Sequence, residues 1–139
     1  MGRKRYGSPK RLLITADSGG SNRPRTRLWL SELQRFADET GMILEVCHYP
    51  PGTSKWNKIE HRLFCHITRN WQGIPLEALE IVVNLIGSTG TKEGLEVHAW
   101  LDGSKHEKWC KISDAEFAEI YIKRNKFHSD RNYEIHPRN

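Results

Sequence analysis

The sequence has no hydrophobic run approaching the roughly 20 residues that cross a bilayer, so it offers no transmembrane helix. Its basic start is followed only by the short apolar stretch Leu12–Ala16, too brief for a signal peptide. Cysteine is scarce: Cys47, Cys65 and Cys110 are odd in number, widely spaced and without a CxxC pair. Their pattern argues against a disulfide framework and points to a reducing compartment, the cytoplasm. His61 and Cys65 would share a helical face with His66 beside them, but a structural zinc site needs further ligands that the spacing does not offer. A packed cysteine flanked by surface histidines is the plainer reading. Acid is missing from the start of the chain, where no Asp or Glu precedes Asp17. Internal repeats and low-complexity segments are absent as well.

What is present suits one soluble domain: 139 residues, 37% hydrophobic and 28% charged. Lys and Arg number 22 against 17 Asp and Glu, a formal charge of +5 that is compatible with a polyanionic partner. The excess is uneven. Arg3, Lys4, Arg5, Lys10 and Arg11 crowd residues 1–11, so residues 1–10 read as a basic loose arm. Arg23, Arg25 and Arg27 follow the first strand-like segment, and composition alone favours a solvated polar loop there.

Leu12–Ala16, closed by Asp17 and the turn residues Ser18–Asn22, reads as a buried strand of a parallel sheet. Thr26–Thr40 places Trp29, Leu33, Phe36 and Ala37 at helical spacing, with Gly41 where a cap belongs. Met42–His48 is the second strand, stopped by Pro50-Pro51-Gly52. Helices are predicted over Asn57–Trp71 and from Pro75 to about Ile86. Leu95–Leu101 alternates like a half-exposed strand. Ser113 and Glu116 form a capping-box signature before Phe117, Ile120 and Tyr121. Strand, helix, strand, helix implies an α/β layer with a parallel pair, whose function gathers beyond the carboxyl ends of the strands.

Asp17 stands at one such end, and Glu60 falls in the first turn of the helix reached from the neighbouring strand. Two converging carboxylates can hold Mg²⁺, which favours a few carboxylates plus water and phosphate oxygens. Paired ions of this kind serve in-line attack on a phosphodiester. Taken singly, each acid has a plainer explanation: a turn-capping Asp, and a Glu favoured by the helix dipole.

The wording around the acids goes further. Leu12-Leu-Ile-Thr-Ala-Asp17-Ser-Gly-Gly-Ser-Asn22, and Cys47-His-Tyr-Pro-Pro-Gly-Thr-Ser-Lys-Trp-Asn-Lys-Ile-Glu60-His-Arg-Leu-Phe64, closely resemble the ISAzo-thirteen-type insertion-sequence transposases. Phe127-His128-Ser-Asp-Arg-Asn132-Tyr133 looks like the ending of the same family, so the resemblance runs from about Leu12 to Pro137. It implies an RNase H-like fold of the DDE superfamily and metal-dependent DNA cleavage and strand transfer with Mg²⁺ or Mn²⁺. Asp17 would be the second acid of the triad and Glu60 the third, both as metal ligands. Asn57, one turn before Glu60, would orient that carboxylate, contact DNA or simply cap the helix. Lys55, Trp56 and Lys58 would meet phosphates or stack on a base, although Trp56 also suits a core position. Phosphate contact by Arg23, Arg25 and Arg27 gains weight in the same way.

The family's first acid lies well upstream of the second, so residues 11–139 are expected to be the C-terminal portion of the catalytic domain, with the first strands missing. A fragment so placed would be inactive alone, with a non-catalytic DNA- or transposase-binding role as the alternative. Its first strand would lack a neighbour and leave an apolar edge open to self-association or to pairing with full-length transposase. Ser18 replaces an expected Gly, Ser129-Asp130-Arg131 stands where relatives look like Gly-Glu-Trp, and Met1–Lys10 lies outside the resemblance.

Overall fold

The computed structural model describes residues 6–105 and 111–138. Arg3, Lys4 and Arg5 of the basic arm, and Cys110, lie outside the described residues. The chain divides into two units, Met1–Asn57 with Lys108–Asn139, and Lys58–Glu107.

The first unit is built on the predicted parallel pair. Strand β1 (Arg11–Ala16) runs beside β2 (Ile43–His48), with Leu12 opposite Leu44 and Ile14 opposite Val46. Between them lies helix α1 (Arg27–Thr40), which Gly41 closes in the left-handed region at φ 69°, its N–H donating to the Ala37 carbonyl. The predicted cap is therefore the observed one. A five-residue helix further along the chain, Asp114–Ala118, begins with the predicted capping box between Ser113 and Glu116.

Two strands that the sequence pattern does not announce complete the sheet. Ile122–Arg124 and Asn132–Ile135, β3 and β4, are short, and β4 pairs antiparallel with both β2 and β3. The sheet is consequently mixed, in the order β1-β2-β4-β3, rather than a parallel pair alone. One face carries the core: Leu44, Val46, Tyr133 and Ile135 meet Leu30, Leu33 and Ala37 of α1. The other face is polar, with Arg11 paired to Glu45 at 3.4 Å and to Glu134. Covering on one face only is the arrangement that antiparallel sheets tolerate. It corrects the reading of β1 as fully buried, because Leu13 points away from α1 and is 60% exposed. β1 is also the outer strand, so the expected open edge is present among the described residues.

Gln34 ties the layers together from a buried position on α1. Its amide nitrogen donates to the His136 carbonyl at 2.9 Å and to Asp38 at 2.8 Å, and its oxygen accepts from the Tyr121 N–H at 2.8 Å. Asp38 in turn receives three bonds from Arg138. Partial burial raises the Asp38 pKa, but the bonds from Arg138 and Gln34 outweigh it and hold the carboxyl below its ordinary 3.8. A carboxylate depressed in this way stabilises the fold fully above its unfolded value and loses that contribution as the pH falls through the folded one. Acid titration should therefore show stability lost from about pH 3.8 downward, and Arg138→Ala should flatten that limb in urea melts across pH 2–5. An unchanged limb would remove Arg138 as its source.

In the second unit, helix α2 (Lys58–Trp71) packs on a nine-residue helix, α3 (Leu79–Gly87). Asn70 fastens them by donating to the Leu85 carbonyl at 2.6 Å and to Ser88 at 3.0 Å. α3 starts later than Pro75 because Ala78 is extended (φ −135°, ψ 147°) and sets the start of the helix. Leu95–Leu101 forms no strand: a single bridge, Gly90 with Glu96, is all that its alternating pattern finds as a partner.

Candidate functional site

Asp17 follows β1 directly, where the chain leaves the sheet. Its backbone is held from behind by a buried relay. The His48 ring lies with Nδ1 3.1 Å from the Asp17 carbonyl oxygen and Nε2 2.9 Å from the Tyr133 hydroxyl. A carbonyl can only accept, so Nδ1 carries the proton and Nε2 accepts from Tyr133. The Tyr133 oxygen then accepts from the Trp29 indole N–H at 3.0 Å. Burial lowers the His48 pKa, against the pull of the Asp17 carbonyl and carboxylate toward the charged form, so the ring is neutral as this bonding requires. Burial likewise pushes Tyr133 up to about 12, keeping its hydroxyl a donor. Sequence reasoning missed this relay, because its three side chains come from α1, β2 and β4 and no local pattern links them.

The turn after Asp17 keeps its carboxylate accessible. The Gly19 N–H approaches Oδ1 at 3.4 Å, and a side chain at Gly19 would come within 3.8 Å of Oδ2. Ser18, the departure from an expected Gly, donates its hydroxyl to the Tyr49 carbonyl and fastens this turn to the end of β2. Beside it opens a cavity of about 370 Å³ lined by Ser18, Arg23, Pro24, Arg25, Pro51, Asp130 and Arg131. Three arginines around one opening form a natural seat for phosphate. Two of them, Arg23 and Arg25, were expected from the sequence. Arg131 was not, since it arrives from the loop between β3 and β4; its residue type, in the stretch that departs from the family ending, was the available signal.

The other expected residues are distributed less uniformly. Arg27 turns toward the Asp114–Ala118 helix, pairing with Asp114 at 2.6 Å and lying 5.0 Å over the Phe117 ring, rather than lining the arginine cavity. Lys55 and Trp56 belong to a short turn, Ser54–Trp56, that ends the Pro50-Pro51-Gly52 loop, and both are exposed. Asn57 is buried, and its side-chain oxygen has no hydrogen-bond partner among the described residues. Lys58 and Glu60 lie in the first turn of α2, exposed, and so belong to the second unit while Asp17 belongs to the first.

As donors for a hard divalent cation the two acids are suitable: both are oxygen ligands, and both carboxylates are reachable. Among the described residues, however, no group of three or more His, Cys, Asp or Glu side chains is arranged to hold a metal.

A family model described as the Rhodopirellula transposase DDE domain matches residues 1–137. The match reaches residue 1 and so takes in the basic arm that the motif resemblance leaves outside. No curated protein and no solved structure matches the chain.

Proposed function

The chain belongs to the Rhodopirellula transposase DDE-domain family, and from that premise we propose that it holds transposon DNA for metal-dependent cleavage and strand transfer, with Asp17 and Glu60 as the second and third metal-binding acids. One observation carries this reading: an accessible carboxylate at the end of β1 beside a cavity lined by Arg23, Arg25 and Arg131. The arginines take the DNA backbone, and Lys55 and Lys58 add positive charge near the third acid. The parallel β1–β2 pair with α1 between them supports an RNase H-like ancestry for this layer.

Mg²⁺ or Mn²⁺, when bound, supplies activation of the attacking oxygen and stabilises the leaving oxygen. The chain's own part is to bring carboxylates and phosphate together. Asp17 is pinned by the His48 relay, and the arginines orient the strand. Two carboxylates fill few of the positions around a pair of divalent ions, so in this reading further oxygen ligands come from phosphate, water or another carboxylate. Among the described residues no helix is long and apolar enough to cross a membrane, and DNA in the cytoplasm is the partner of this reading.

The two-acid composition of the site also favours a second reading, in which the chain binds DNA or a full-length transposase without catalysis. Calorimetric titration with Mn²⁺ separates the two. Saturable binding that weakens at least about tenfold in Asp17→Asn, a loss of about 1.4 kcal/mol, is the result expected of a surviving half-site. Absence of Mn²⁺ binding beside intact DNA binding would leave the non-catalytic reading standing.

A further inference from the structure

Two large aromatic side chains of the first unit are exposed on one cavity, Trp56 at 54% and Phe127 at 70%. This second cavity, of about 340 Å³, is also lined by Thr15, His128, Arg131 and Asn132. Its size falls within the roughly 300–1,000 Å³ of small-molecule pockets. Arg131 is common to it and to the arginine cavity beside Asp17.

The loop presenting Phe127 is internally braced. His128 adopts φ 48°, and its carbonyl accepts from the N–H groups of Arg131 and Asn132, both at 2.9 Å. The Asn132 amide donates to the Phe127 carbonyl at 3.0 Å, while the Phe127 N–H donates to the Asn125 side chain at 3.0 Å. Arg131 Nη2 lies 3.0 Å from His128 Nδ1. With its backbone fastened on both sides, the loop holds an exposed aromatic ring in place instead of letting it fold onto the core. Exposed aromatics beside a guanidinium suit a ligand that carries a flat π-face and an anionic group. A nucleotide has both, and its base offers a free face only when it leaves the duplex stack.

We propose that this cavity takes a single unpaired nucleobase of the bound DNA, stacked on Phe127 and Trp56, with its phosphate toward Arg131. The inference rests on the DNA-binding reading above and adds a substrate feature to it: preference for a strand with an extrahelical or unpaired base.

Fluorescence anisotropy with the full chain at one fixed salt concentration tests it on three DNAs: a blunt duplex, the same duplex with one bulged thymine, and the same with an abasic bulge. The bulged thymine should bind about tenfold more tightly than the abasic bulge, the scale of one stacked base. Phe127→Ala should bring that ratio close to one. Phe127 is largely solvent-exposed, so the variant keeps its core; circular dichroism confirms that it does. Equal affinity of wild type for all three DNAs overturns the base pocket while leaving DNA binding intact. Binding to none of them overturns both the pocket and the reading beneath it.

Discussion

Asp17→Asn and Glu60→Gln should each reduce any metal-dependent nicking of supercoiled plasmid by about 10³-fold or more. That scale follows from losing a carboxylate that would hold the metal ion, so that both ion binding and the stabilisation of charge on the reacting oxygens suffer. Each substitution keeps size and shape and deletes one negative charge, so packing is not the variable. Phosphate contacts should respond in the opposite sense. A carboxylate beside three arginines repels DNA in the absence of metal, so its removal leaves affinity equal or slightly higher. The dependence of DNA binding on salt should stay the same, because the phosphates neutralised by Arg23, Arg25 and Arg131 are still neutralised. Nicking by both variants at the wild-type rate would show that the cleavage comes from elsewhere, and the assignment of both acids would fail.

Charge reversal of the arginines makes the complementary case within the same assay. Arg23→Glu should weaken binding to every duplex alike and flatten the salt dependence, since a phosphate contact carries no sequence information. A change confined to particular sequences would place Arg23 at a base edge instead.

Much of this frame was legible in the sequence, and where it was not the reasons are physical. β1, α1 with its Gly41 cap, β2 and the Ser113–Glu116 box are specified by signals within a few residues of themselves, and each lies where those signals put it. β3 and β4 carry three and four residues with charges among them, and they exist because β2 offers an edge. Short segments of that kind have no periodicity to display. Leu95–Leu101 shows the converse, a proper alternation that meets no strand to pair with. Asp17 and Glu60 are singled out by the phrases around them alone, since each acid taken singly has a plainer reading. Arg131 and Phe127 came to the site only through the β3–β4 hairpin, so the second cavity could not have been anticipated without that hairpin.

The relay behind Asp17 carries a stability prediction of comparable size to the loss of a core side chain. Tyr133→Phe removes one oxygen and leaves the ring, so the packing of a residue only 1% exposed is conserved. Two partners are stranded by the change: the Trp29 indole N–H and His48 Nε2. A buried group left without its bond costs about 1–3 kcal/mol. His48 is buried and bears the full penalty, whereas Trp29 is only half-buried and regains part of its loss from water. The sum is about 2–3 kcal/mol, a fall in Tm on the order of 10 °C for a chain of this size. Leu44→Ala provides the comparison, since it should cost about 3 kcal/mol by opening a cavity in the same core without touching a polar group. The two variants must differ at Asp17. Loss of the tyrosine hydroxyl frees the His48 ring to turn from the Asp17 carbonyl, and amide exchange in the 17–20 turn should quicken selectively, whereas Leu44→Ala leaves that bond in place. Unaltered stability of Tyr133→Phe would mean that His48 and Trp29 find other partners at no cost, and the hold on the Asp17 carbonyl would then not depend on Tyr133.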